Sequence, residues 1–410
     1  MSSGNLVQVI YAKETVYGET DTPLSGVTAE TARFTGESLS GTPATTTSTE
    51  IRTDRMSSGM VVTGLDVGGS IDYELCAGTF WDDFFEAAMM SAWVAAQTLA
   101  GETVTLTPDV ADDQLADLVI TGDFATIGAA AGDLLQLIPA TGSPVTVSVI
   151  SIDSAISATV ATEAGQPAIV AQTLDVAIPE NLVIGKDQTS FTISKAYQDV
   201  THDVTTDQHS QTYNGMLVNG FSVTATYGEI VTGTFETLGN GYEQVFPSLS
   251  QAIEAAGGTV NDASTTSPLN ASIDFPLVTT DDLPADFCIE SLEITFSNNL
   301  DPSNCIGVPS PASYTLGTAQ IDISLSAYLS DSSYDSLMAQ KLSLTPIGIT
   351  ITAQNASGGY GFRIEAAQLS FPDPSSQGQD TQTMIEAAGT GKVGANGESA
   401  IVIYKLLGDQ

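Results

Sequence analysis

Residues 65–93 read LDVGGSIDYELCAGTFWDDFFEAAMMSAW, and this stretch decides the fold because its apolar period changes in the middle. Val67, Ile71, Tyr73 and Leu75 fall at even spacing, as on one face of a strand. Trp81, Phe84, Phe85, Ala88, Met89 and Ala92 then recur at three- and four-residue intervals, which is the stripe of an amphipathic helix. Thr79 stands where an N-cap is expected, and Asp82, Asp83 and Glu86 sit in the first turns, where the helix dipole favours anions. Trp81, Phe84 and Phe85 are the expected packing residues of this helix.

Working outward, RFTGESLSG from Arg33 reads as a preceding strand, separated from Leu65 by the polar stretch 42–64. The same order returns later. CIESLEITFSNNL at 288–300 reads as a strand and repeats the ESL of 37–39; a Pro-rich polar arm follows, then AQIDISLSAYLSDSSYDSLMAQK from Ala319. With Ile71 laid over Ile321, Asp72 falls on Asp322, Leu75 on Leu325, Ala77 on Ala327 and Phe84 on Tyr334. Strand, arm, strand, helix in the same order twice indicates an internal repeat. Tyr334 and Leu337 are then the packing residues of the second helix. β-rich sequence follows each helix, SFTISKAYQ and MLVNGFSVTATYGEIVTGTFETLG in one case, IGITITAQ and YGFRIEAAQLSF in the other.

The expectation is a mainly β chain with two tandem β-sandwich folds, each carrying one short α-helix, plus a small inserted β-barrel or sandwich. Residues 1–98 and 186–245 form the first fold, and residues 99–185, whose short apolar runs are punctuated by Gly and Pro, form the insertion, placed on the outer surface. Residues 246–270 are a linker with one or two helical turns near Leu249 to Ala256, and residues 271–410 form the second fold.

Charge narrows the function. Ten Lys and Arg stand against forty-nine Asp and Glu, a net charge of −39, so a nucleic-acid binder that neutralises phosphates is excluded. MSSGNLVQVIYAKET lacks a basic segment followed by a long apolar core, and no apolar run approaches the ~20 residues of a spanning helix, so synthesis in the cytoplasm without a membrane partner is expected. Cys76, Cys288 and Cys305 lack a C-x-x-C spacing and are expected as reduced thiols, a Cys288–Cys305 bridge being the alternative.

Candidate chemistry is sparse. His202 and His209 with Asp199, Asp203 and Asp207 resemble metal-ligating types, but an acidic polar loop collects them by chance, and no metal is expected. VIGKDQTS at 183–190 has Asp187 where a phosphate loop needs Ser or Thr. The acid pairs Asp82–Asp83 and Asp281–Asp282 read as a helix start and a solvated loop, and the Asn-Ala-Ser triplets at Asn270 and Asn355 as turns. With two histidines and no nucleophile arrangement, neither a catalytic residue nor a cofactor is expected.

The ordered motifs RFTGESL, TEIRTDR, TGLDVGGSIDYEL, FWDDFFEAAM, GDLLQL, SFTISKAYQD, YNGMLVNGFSVT, GTFETLG, ESLEITFSNNL and ISLSAYLSDSSYDSL resemble the major tail tube protein of bacteriophages with long, non-contractile tails. The resemblance implies strands that form a sandwich lining a tube, a helix on its outer side, and an arm after GESL that reaches a neighbouring ring. It implies self-association into stacked rings in the virion tail, assembly in the host cytoplasm, passage of double-stranded DNA without specific binding, and the tape measure, tail tip and tail terminator as partners. Two folds per chain favour three chains per pseudo-hexameric ring, and an acidic lumen would let DNA slide. Within the arm, TEIRTDRMSS places Arg52 and Arg55 beside Glu50 and Asp54, and these four are the expected inter-ring contact. The second arm has no arginine. The alternative class is a β-rich surface, adhesion or virion decoration protein, which the Thr, Ser and Gly content suits equally.

Overall fold

The structure is a computed structural model that describes residues 4–51, 53, 56, 59–109, 115–162, 166–201, 207–269, 277–280, 289–329, 344–372, 383–394 and 399–409. The chain opens with β1 (Val7–Lys13), β2 (Thr28–Thr31), β3 (Gly36–Glu37), β4 (Ser40–Thr47) and β5 (Met60–Glu74), followed by α1 (Thr79–Met89). The stretch expected as a polar connector is instead a ribbon. β4 and β5 pair from Ser40 opposite Gly68 out to Thr47 opposite Met60. Threonine-rich strands satisfy one another's backbone without an apolar face, so polarity alone did not forbid pairing. At the ribbon's root Gly69 has φ +149°, and a Cβ there would lie 2.6 Å from the Ser38 carbonyl oxygen, so the chain crossing between β3 and β4 requires glycine.

The insertion is a closed barrel of β6 (Gln97–Pro108), β7 (Leu115–Val119), β8 (Leu134–Ile138), β9 (Val145–Ser154), β10 (Ser157–Ala161) and β11 (Ile169–Ile178), closed in the order β10-β7-β6-β11-β8-β9. Leu106, Leu118, Leu135, Leu137, Val147 and Val160 fill its interior. The chain enters and leaves through one paired position, Gln97 opposite Ile178.

After the barrel come β12 (Glu180–Val183), β13 (Ser190–Thr201), β14 (Gln208–Thr226), β15 (Thr232–Gly239) and β16 (Gly241–Val245), then α2 (Leu249–Ala256) and β17 (Thr259–Asn261). The second half contains β18 (Leu277–Thr280), β19 (Ile289–Ser297), β20 (Asp301–Ser303), β21 (Ser313–Thr315), β22 (Gln320–Tyr328), β23 (Ile347–Asn355), β24 (Gly358–Ser370), β25 (Met384–Lys392) and β26 (Ile401–Leu406). The second helix expected around Tyr334 and Leu337 lies outside the described residues.

Two long strands organise the sandwich. β14 pairs with β13 and β16 along its first half and with β15 and β19 along its second. β24 pairs with β23 along one edge and with β26 and then β25 along the other. One layer therefore runs β4-β5-β15-β14-β19-β22-β25-β24, all antiparallel. The other holds β17-β2-β1-β13 on one side and β18-β23 with β26-β12 on the other. Asp72 lies opposite Thr234 as Asp322 lies opposite Thr390, consistent with laying Ile71 over Ile321. The ESL match is out of step with this: Glu37 faces Ile71, but the residue facing Ile321 is Phe296, six places beyond Glu290 (296 − 290). A three-residue identity in strand sequence does not set register; the opposed partners do.

α1 lies between the layers rather than on a surface. Phe80 and Ala87 are buried along with Trp81, Phe84, Phe85, Ala88 and Met89, so the helix is apolar around most of its circumference. Phe84 stacks on Phe191 at 5.1 Å and meets Tyr11 edge-on, while Phe85 packs edge-on to Phe221, Phe235, Tyr360 and Phe362. The N-cap is Gly78, not Thr79: the Gly78 carbonyl accepts the Asp82 N–H at 3.1 Å, which starts the helix one residue earlier.

Candidate functional site

The eight-stranded layer has one buried face and one polar face, and opposed residues on neighbouring strands share a face. One row crosses all of β5 to β24 as Asp72, Thr234, Ser222, Thr295, Asp322, Thr390 and Gln368. The next reads Glu74, Thr232, Thr224, Glu293, Ser324, Ala388 and Ser370. Glu236, between Ser70 and Gly220, and Glu386, opposite Ser326, belong to flanking rows. Within these rows a carboxylate is never directly opposite another, which keeps like charges apart across the ladder. Lys392, opposite Ala366, adds a cation to this face.

The β14–β19 pairing, Gly220 opposite Ser297 through Thr226 opposite Ser291, joins β4-β5-β15-β14 to β19-β22-β25-β24 without a break. Each end of the layer keeps an unpaired edge. Among the described residues no strand pairs with the outer edge of β3 and β4, or with β24 beyond Ala367 on the side of β23. An unpaired edge presents backbone donors and acceptors to another strand.

Several of the scarce cations pair with carboxylates or carbonyls of the sandwich and its helix. Lys13 bridges Asp83 and Glu86, each at 2.8 Å, and Tyr11 donates to Asp83 at 2.9 Å. Lys405 reaches Asp82 at 2.8 Å, and Tyr360 donates to the same carboxylate at 2.7 Å. The Asp82–Asp83 pair is thus not merely a solvated helix start: Asp83 and Glu86 hold β1, and Asp82 holds β24 and β26, so α1 fastens the two halves together. Burial, reinforced by Asp83, pushes the Tyr11 hydroxyl far above its usual range, and burial does the same to Tyr360. Lys195 meets Glu37 at 3.0 Å in the core, and Arg33 donates to the Ser264 and Thr266 carbonyls beside the Trp81 ring. Arg363, 3% exposed, pairs with Glu365 and donates to Thr350. Near it Asp133 of the barrel accepts from Tyr404 at 3.1 Å, and burial raises its carboxyl above the usual carboxylate range.

Of the expected inter-ring residues, Glu50 lies exposed beyond the end of β4, while Arg52, Asp54 and Arg55 lie outside the described residues. His202, Asp203, Asn270, Asp281, Asp282 and Cys288 also lie outside the described residues. Asp199 is exposed, and His209 packs edge-on against Phe246 at 5.7 Å. Among the described residues no cluster of three His, Cys, Asp or Glu could hold a metal, and no helix is long and apolar enough to cross a membrane. Asn355 sits at the β23–β24 turn, where its side chain accepts the Ser357 N–H. Cys76 is buried and Cys305 exposed, both as free thiols.

Sequence reasoning missed the polar face as a unit. Each strand's alternation marks an outward residue, but which outward residues stand side by side depends on pairings between positions as distant as Ser222 and Thr295. No curated relative matches the chain. The family model described as phage tail tube protein matches residues 4–391, and with its mainly β architecture the chain belongs to that family, a structural component of the phage tail.

Proposed function

We propose that three chains close into a pseudo-hexameric ring, that rings stack head to tail into a hollow tube, and that the polar face lines the lumen through which double-stranded DNA passes. The observation that carries this reading is the β14–β19 junction, a strand pairing between the two halves of one chain that serves as a template for pairing between chains. The chain is read as two tandem tube folds on this basis, with the barrel as an insertion in the first. By that template Gln368 takes the place of Ser222, and Gly36, opposite Asp72, takes the place of Thr295, so Gln368–Ser370 of one chain would pair beside Phe34–Gly36 of the next.

Size favours three chains. Strands about 4.8 Å apart and tilted about 40° give a wall of roughly 24 strands a backbone diameter near 50 Å. Six chains would double that, far more than a duplex needs. The rows of hydroxyls interrupted by Asp72, Glu74, Glu236, Glu293, Asp322 and Glu386 support a wall that repels phosphate and lets DNA slide. The barrel packs through Tyr404 and Leu406 on β26, in the layer away from the polar face, which supports a place on the outside of the tube. Tape measure, tail tip and tail terminator proteins are the expected partners at the tube's ends, and assembly takes place in the host cytoplasm. Mass measurement of a single ring, or the symmetry of a reconstructed tube, tests the reading: three chains per ring are expected, and six would overturn it.

A further inference from the structure

We propose that the turn Thr226–Val231 of one chain docks into a groove at the root of the arm of a chain in the next ring. The inference rests on the stacked-ring reading and names the surfaces that meet. The groove, of about 700 Å³, lies between the ribbon root at Thr63–Val67 and the loop that follows β19. Leu65, Leu238, Leu300, Val308, Pro309 and Pro311 supply most of its apolar wall. It is a built surface: the Leu65 N–H donates to the Pro309 carbonyl at 2.6 Å, and the Tyr314 hydroxyl donates to the Gly239 carbonyl at 2.8 Å.

The turn is its counterpart in position. Tyr227 is 75% exposed and Ile230 41%, an aromatic and an aliphatic side chain within one turn at the end of the layer. Gly228, at φ +79°, makes the reversal, and Tyr227 is held through its N–H to the Glu290 carbonyl at 2.9 Å. Turn and groove flank the same strand, since β15 begins at Thr232 beside the turn and ends at Leu238 and Gly239 beside the groove. A copy displaced along that strand carries its turn toward the first copy's groove. Such a contact uses different surfaces on the two partners and does not close, which is the requirement for a filament.

The groove's lining is sparse in charge, with Asp66 its single charged residue, while the turn carries the exposed carboxylate Glu229 between its two apolar side chains. The contact is therefore carried by the apolar side chains and not by charge. Each chain carries this groove and this turn, so every turn in a ring would find a groove in the next. An aromatic anchor in an apolar pocket is the kind of contact that dominates an interface.

The groove also contains exposed Cys305, which gives a direct test. In a Cys288→Ser background, tubes or tails built from Tyr227→Cys or Ile230→Cys are oxidised with copper phenanthroline and run on non-reducing gels. A ladder of chains joined end to end, lost when Cys305→Ser is added, is expected. Tyr227→Ser should leave ring mass and melting temperature unchanged while raising the protein concentration needed for tube growth about thirtyfold or more, as for loss of an interface anchor. Assembled tubes with no ladder from either cysteine, or normal growth of Tyr227→Ser, would overturn the docking while leaving the tube reading intact. Failure of the unaltered protein to form rings or tubes under any condition would instead remove the reading beneath it.

Discussion

Lys195 and Glu37 form a charged pair inside an apolar core, with side chains 9% and 17% exposed, and Lys195 also lies over the Tyr197 ring. Removing one member strands the other away from water. Lys195→Met is expected to cost about 3–5 kcal/mol in urea unfolding, the range for breaking a buried pair, and Glu37→Gln added to it should recover much of the loss. A double variant no more stable than the single would show that the cost lay elsewhere. Cys76 is buried where Cys305 is exposed, and burial pushes the Cys76 thiol up to about 11 from an ordinary value of 9.0. At pH 8 iodoacetamide should label Cys305 rapidly and leave Cys76 untouched until the protein unfolds, as read by peptide mass. Because the folded state holds the proton more tightly, this thiol's contribution to stability falls as pH rises from about 9 through 11.

At the scale of elements, TEIRTDR belongs to the segment between β4 and β5, and the proposal that this segment meets a neighbouring ring can be tested by charge reversal. Exposed ion pairs are each worth about 0–1 kcal/mol, yet a contact repeated at every ring accumulates along a tube. Arg52→Glu with Arg55→Glu should leave circular dichroism and melting temperature unchanged but abolish tube growth; tubes of normal length by negative-stain microscopy would refute the contact. The barrel is a second separable element, since Gln97 and Ile178 are paired and its core is largely its own. Replacing residues 98–177 with a short Gly-Ser turn should give a folded chain, somewhat less stable because Tyr404 and Leu406 lose their cover, that still forms tubes of reduced outer diameter. Loss of folding would mean the barrel is part of the sandwich core.

For the whole molecule, the decisive feature is one continuous layer with acids spread over one face and α1 wedged behind it. If that face lines the lumen, reversing charge there should affect DNA passage more than assembly. Asp72→Lys with Glu293→Lys and Asp322→Lys should preserve rings and slow dye-monitored DNA ejection, with the slowing relieved as salt rises, because each lysine–phosphate contact competes with counterions. An ejection rate indifferent to these changes at low salt would place the face elsewhere. Lys13, Lys195, Arg363 and Lys405 fasten α1 and the strands, so these cations are not available to neutralise the carboxylates of the polar face.

Much of this was legible in local pattern. The switch from even spacing at Val67–Leu75 to helical spacing at Trp81–Met89, the punctuated apolar runs of the barrel and the deficit of Lys and Arg are properties of neighbouring residues or of composition, and the sequence alone carried them. Tertiary structure decided what depends on distant partners: that the polar stretch after Ser40 forms a ribbon, that Asp82 and Asp83 grip opposite halves, and that Asp72, Ser222, Asp322 and Gln368 stand in one row. Alternation along a strand says which way a side chain points. Only backbone pairing across some hundred residues says what it points beside, and shifting a register by one would turn every one of those acids to the other face.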